Sequence, residues 1–164
     1  MTIINTNTVE DFIVDTLSAV TALASVKVQP WPDDTRDYLT KFTAPKGALL
    51  VQYRGSEYNP DPPEPNNKSK LFQMRDMRWV VAILMRNAYS HDASSSFTGG
   101  IYGLLDEVKK ALTGKTVTKL VGAVVTPLDD VTIMYPRSDY FVDRVNQNIY
   151  IHEIEFGVSG PETE

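Results

Sequence analysis

Apolar positions along this chain follow two different rhythms. Val9, Phe12, Ile13, Leu17 and Val20 recur at helical spacing within TVEDFIVDTLSAVTALA, which predicts a first amphipathic helix. Thr8 fits its N-cap, with Asp11 in the acidic position of a capping box. Ile101, Leu104, Leu105, Val108 and Leu112 form a second stripe in TGGIYGLLDEVKKALTG. Gly114 is its stop signal, and Lys109 and Lys110 suit the negative end of its dipole. Extended patterns lie between and after these helices. Ser25–Val28 is a short strand, and Asp33 or Asp34 caps a short helix running to Phe42. Gly47–Tyr53 (GALLVQY) is nearly continuous in apolar residues, as a central strand would be.

Leu71–Arg86 reads as one uninterrupted strand. Its first half is amphipathic and carries Arg75, Asp76 and Arg78, whereas WVVAIL is apolar on both faces. At about 3.3 Å per residue it would reach roughly 50 Å, far longer than an ordinary strand. Half of it therefore either projects beyond the body of the domain or carries a bulge. Before it lies a loop from Gly55 to Lys70 with Pro60, Pro62, Pro63 and Pro65, a composition that favours extended polyproline geometry over sheet pairing. SHDASSSF reads as a linker. DYFVDRV and IYIHEIEFGV, joined through Asn146, read as a long hairpin. The order predicts an α+β fold: a two-layer sandwich with a mixed or antiparallel β-sheet, two main helices on one face and a long β-hairpin arm. Residues 1–158 form a single domain in this reading, with loop 55–70 flexible and 159–164 a disordered tail.

Composition narrows the function. The 164 residues carry a formal net charge of −5, and the lysines and arginines are scattered. Such a chain lacks the basic face that grips nucleic acid. The absence of cysteine excludes disulfides, thiolate catalysis and cysteine zinc sites, and it fits assembly in a reducing cytoplasm. No apolar run is long enough to cross a membrane, and the first residues do not have the pattern of a secretory signal.

Candidate chemistry is sparse. His91 sits beside Asp92 in the serine-rich linker. His152 sits beside Glu153 on a strand, where adjacent side chains face opposite ways, so the two cannot converge on one metal. Asp129-Asp130 reads as a polar turn after Thr126-Pro127 more readily than as a magnesium pair. TGGIYG lacks the spacing of a phosphate-binding loop and reads as a helix start needing close backbone approach. Ser94, Ser95 and Ser96 have no nucleophile motif around them. No catalytic, cofactor or metal residues are expected.

The arginines are the distinctive polar residues. Arg75, Arg78 and Arg86 share one strand, and the plain reading is that they cover a solvent face beside Asp76 and cross-strand carboxylates. The sharper reading places Arg75, Met77, Arg78 and Trp79, extended by Tyr53, Arg54 and Tyr58, in an interface with a second subunit or a partner protein. Arg, Trp, Tyr and Met are enriched in interfaces, and an overlong strand needs cover.

GALLVQYRGSEY, a variable polar loop and then RWVVAILMRN resemble the tail terminator, or tail completion, proteins of Mu-like contractile-tailed bacteriophages. VEDFIVDTL, IYGLLDEVKKAL and IYIHEIEFGV fall in matching order, so the resemblance covers nearly the whole chain. It implies an α/β sandwich assembled as a homo-oligomer, a hexameric ring, on the last layer of the tail tube. Such a ring stops tube and sheath growth and offers its head-proximal surface to the connector protein. It implies no catalysis, a place in the neck region of the virion, and DNA passing through the ring without specific binding. An acidic ring suits that passage, since it repels phosphate. Two alternatives are another tail-tube or head–tail connector protein, which as a tube subunit would form open stacks, and a small hydrolase or ligand-binding domain. The last would require a pocket with convergent polar groups, such as buried His152 paired with a carboxylate beside a cavity.

Overall fold

The computed structural model describes residues 5–42, 47–60, 72–86, 99–121, 124–127, 134–145 and 149–163. Helix α1 spans Thr6–Ser18 and is followed by a 3-10 turn at Thr21–Leu23 and strand β1, Lys27–Pro30. Helix α2 covers Thr35–Thr40, β2 Ala48–Pro60, β3 Phe72–Arg86 and α3 Gly100–Leu112. Strands β4 (Thr118–Val121) and β5 (Val124–Pro127) form a separate hairpin, and β6 (Met134–Val145) and β7 (Ile149–Thr163) complete the chain. The main sheet has the order β1-β2-β3-β7-β6. β1 runs parallel to β2, and every other pairing is antiparallel.

Strand alternation divides the core. Leu49, Val51, Met77, Trp79, Val81, Ile83, Ile154 and Phe156 face α1 and α3, where they meet Val9, Ile13, Leu17, Leu104 and Val108. Ala48, Leu50, Ala82, Leu84, Ile149 and Ile151 face the other way, under Phe42, Trp31, Tyr38 and Leu39 around α2. The expected two-layer α+β sandwich with both main helices on one face is present, and the small α2 packs on the opposite face. All five residues expected on the second helical stripe are buried. The chain leaving α3 is fastened to β6, because Gly114 donates its N–H to the Met134 carbonyl and Met134 donates to that of Lys115.

Several boundaries differ from the sequence expectation, each for a physical reason. α1 begins earlier than Thr8, because Asn5 caps it by accepting the Asn7 N–H at 2.9 Å; Thr8 lies inside the first turn. For α2, Asp34 is the cap, accepting from the Asp37 N–H. β2 does not end at Tyr53. It absorbs Arg54 as a bulge and continues to Pro60, so the first part of the expected loop is strand. The tail expected to be disordered from Ser159 is strand to Thr163, paired with the first half of β3 as far as Thr163 opposite Phe72. Pairing on both sides satisfies the backbone of the long strand, and it draws Gly, Ser and Pro residues into extended structure against their local preference. The remainder of the proline-rich loop, the SHDASSSF linker with His91 and Ser94–Ser96, and Asp129-Asp130 lie outside the described residues.

Candidate functional site

The part of β2, β3 and β7 beyond the bulge at Arg54, the arm of the sheet, carries two polar networks, one on each face. On the helix side, Arg75 is only 9% exposed. Its Nε donates to Ser56 Oγ at 2.8 Å, and its Nη2 donates to Tyr53 OH at 2.9 Å and to Thr6 Oγ1 at 3.0 Å. Its guanidinium lies 5.6 Å from the Tyr53 ring centroid and 5.9 Å from that of Tyr58, within cation–π range. The bulge at Arg54 puts Ser56 on the helix side, where it joins Tyr53. Arg75 thus ties the start of α1 to the arm.

On the outer face, Arg54 donates from Nη2 to both oxygens of Glu153, at 2.8 and 3.0 Å, and Tyr140 donates its hydroxyl to the same carboxylate at 2.9 Å. Glu153 is 6% exposed at its side chain and Arg54 40%. Burial, and then the Glu153 carboxylate, push the Tyr140 phenol above its usual range. Asp76 accepts from Tyr135 OH, Ser159 Oγ and Arg137 Nη2, and Arg137 also lies 3.7 Å from Glu155. Gly157 makes room for this arrangement, because a Cβ there would stand 2.3 Å from Tyr135 Cζ. Arg78 sits on the same face, half-buried, with its Nε buried and without a hydrogen-bond partner.

The expected interface residues therefore do not form one patch. Arg75 and Arg78 are an odd number of positions apart on β3 and point to opposite faces. Met77 and Trp79 are fully buried in the subunit's own core, where Trp79 stacks obliquely on Tyr53 at 5.3 Å, so neither is available to a neighbour. Tyr53 and Arg75 serve the internal network. Arg54, Tyr58 (48% exposed) and Arg78 remain at the surface. The sequence reading also passed over β6. It is an edge strand of the sheet, and Tyr140, Phe141 and Val142 are each 44% exposed there. A run of adjacent large residues on a strand, exposing both faces, was the available signal in DYFVDRV.

His152 is buried, and its Nε2 lies 3.4 Å from Asp139 Oδ1. The other Asp139 oxygen meets Lys109 Nζ of α3 at 2.7 Å. The Lys109 hydrogen bond first, and His152 after it, hold the Asp139 carboxyl below the usual carboxylate range. The pairing of His152 with a carboxylate is half of what a hydrolase would need. Among the described residues no hydroxyl nucleophile hydrogen-bonds to the ring, and one cavity of about 430 Å³, lined by Lys27, Pro32, Asp34, Asp37, Tyr38, Lys41 and Phe42, belongs to α2, across the sheet. No set of three metal-ligating side chains occurs among the described residues, and no helix among them is long and apolar enough to cross a membrane. A carboxyl depressed in the folded state stabilises the fold above its unfolded pKa, and that contribution is lost as pH falls through the folded value. Melting temperatures measured from about pH 6 down to about pH 2 should show wild type and Asp139→Asn converging below about pH 4. Added salt should shrink the difference at neutral pH, since the pair is partly exposed. A constant gap across the range would count against the pairing.

No curated protein matches the chain. Among solved structures, one of similar build is a chain described as the virion of a native gene transfer agent (GTA) particle, with a TM-score of 0.48 and 11% sequence identity, covering 93% of this chain and 93% of that one. The family model described as Gp37 protein matches residues 13–131, a span that begins within α1 and runs through β5 to take in most of the helical layer and the long strands β2 and β3. The chain belongs to the Gp37 protein family.

Proposed function

We propose that the protein is a structural component of a phage-type virion, and within it the tail terminator: a subunit of a ring, six copies in number, that caps the head-proximal end of the tail tube. The observation that carries this reading is the sheet with two unlike open edges. β1 pairs only with Ala48–Val51, so among the described residues β2 beyond that point has no neighbour on its outer side, and β6 has none on its own. Two unlike edges on one subunit make head-to-tail contacts, which close into a ring when the rotation between copies allows. The net charge of −5 suits a lumen through which DNA passes unheld. The tube, sheath and connector proteins are the partners in this reading, and assembly takes place in the host cytoplasm before the ring joins the neck of the virion.

Purified protein mixed with tail tubes, viewed by negative-stain electron microscopy, tests the proposal. The expected result is a discrete ring at one end of each tube and an arrest of further tube growth. Open stacks of the protein alone would favour a tube subunit instead. Tubes that grow on unaltered, with bare ends, would overturn the terminator reading.

A further inference from the structure

On the outer face of the arm, every described acid but one already has a cation or hydroxyl partner. Glu153 is held by Arg54 and Tyr140, Asp76 by Arg137, Tyr135 and Ser159, and Glu155 by Arg137. The remaining one, Glu57, is exposed and sits opposite Asp76. Arg78 has no such partner among the described residues, and its Nε is buried unsatisfied. A half-buried guanidinium nitrogen in that state costs free energy until an acceptor reaches it.

The surroundings of Arg78 leave one direction of approach. In register with it stand Gly157 on β7 and Gly55 on β2. The Gly157 side is filled by the Tyr135 ring, whereas a Cβ placed on Gly55 would meet nothing within 4 Å. Beyond Gly55 the β2 edge has no neighbouring strand among the described residues, and Arg54 borders the opening.

We propose that Arg78 and the open slot over Gly55 receive a carboxylate from a second copy of this chain, whose β6 edge lies along the outer edge of β2. The chain has 21 acidic residues against 16 basic ones, so a second copy supplies the missing charge. Among the described residues β6 is the other long open edge; it carries Asp143 in sequence, opposite Ile151 and so at a position on the outer face, and it exposes Tyr140, Phe141 and Val142. Aromatic and aliphatic surface from β6 meeting Arg54 and Arg78 has the composition of an interface centre. The bulges at Arg137 and Val142, together with Pro136, break the regular β6 ladder, so the contact is made mainly by side chains, not by a continued sheet. This inference rests on the ring reading and specifies its subunit contact.

Sedimentation velocity of the full chain over a concentration series tests it. Arg78→Glu and Val142→Glu should each weaken self-association by about thirtyfold or more, as expected for loss of a central interfacial contact, with circular dichroism unchanged. Arg78→Met, close to isosteric and uncharged, should weaken it in the same direction and guards against a folding defect in the charge reversal. The decisive sample is an equimolar mixture of Arg78→Glu and Val142→Glu. Each variant retains one intact edge, so the mixture should form a heterodimer and nothing larger. If both single variants associate like wild type, the contact is elsewhere and this inference fails, while a ring on tube ends still stands. A wild type that stays monomeric throughout also overturns a second copy as the occupant, and the tube-end experiment then judges the terminator reading separately.

Discussion

Replacing Arg75 with glutamate is expected to destabilise the folded subunit by about 3–5 kcal/mol, the scale of breaking a buried charge network, and to lower the melting temperature by roughly 6–20 °C. The site is built for a cation. Three hydroxyls, from Thr6, Tyr53 and Ser56, accept from the guanidinium, and two aromatic faces lie against it. An anion meets those π-faces with the wrong sign, and the shorter chain cannot reach Thr6 across the gap between the sheet and α1. Arg75→Met removes the charge and keeps the length. It leaves the three hydroxyls to find other donors and should cost about 1–3 kcal/mol. Hydrogen exchange adds a readout of position: amides in the first turn of α1 should lose protection before those around Leu17, because the Thr6 anchor is what has been cut. Arg78→Glu is the control, since among the described residues that side chain makes no hydrogen bond or ion pair within the subunit, and its substitution should shift the melting temperature less. If Arg75→Glu melts like wild type yet fails to assemble, Arg75 belongs to an interface and the network described above is not what holds the arm.

The contrast between these two arginines shows what was legible in the chain. Their positions on one strand were plain from the uninterrupted run Leu71–Arg86, and alternation alone places Arg75 with Met77 and Trp79, away from Arg78. Grouping all four as one surface followed residue type over parity. The helices were legible because their apolar stripes are regular and their ends are marked; Asp34 and Gly114 act as the sequence indicates, although Asn5 displaces Thr8 as the cap of α1. The ends of β2 and β7 were not legible. Gly55, Pro60, Gly160 and Pro161 are residues of turns and loops by local preference, and only the first half of β3, pairing with both neighbours, holds them extended. Composition had no way to announce that long-range cause. The exposed edge of β6 was hidden for a related reason: DYFVDRV is a good strand pattern whether its neighbour is a second strand, water or another subunit.

Gly47→Ala should destabilise the fold by about 2–5 kcal/mol, and Gly47→Val by more, through two separable costs. Gly47 has φ of 99°, a conformation that costs a residue with a Cβ about 1–2 kcal/mol. The added Cβ would also stand 2.8 Å from the Leu84 carbonyl oxygen and 3.0 Å from Leu104 Cδ1, and overpacking of this kind costs about 1–3 kcal/mol. The two neighbours differ in what they can yield. Leu104 is a side chain on α3 and can move. The Leu84 oxygen is backbone of β3, the middle strand of the sheet, and can shift only with that strand. The Gly47 carbonyl meanwhile accepts the Lys27 N–H at 3.3 Å, so a displaced Gly47 also loosens the start of β1. Gly114→Ala separates the costs: its φ is 74°, and a Cβ there meets nothing within 4 Å, so it should show the conformational cost alone, about 1–2 kcal/mol. Leu104→Ala should cost less in the Gly47→Ala background than in wild type, where emptying that buried site costs about 2–5 kcal/mol, and it leaves the backbone part of the clash intact. Denaturant midpoints for the four variants would show it. Equal losses for Gly47→Ala and Gly114→Ala would mean that β3 yields to the new methyl, and that the close approach of Gly47 to the sheet is not a constraint on the fold.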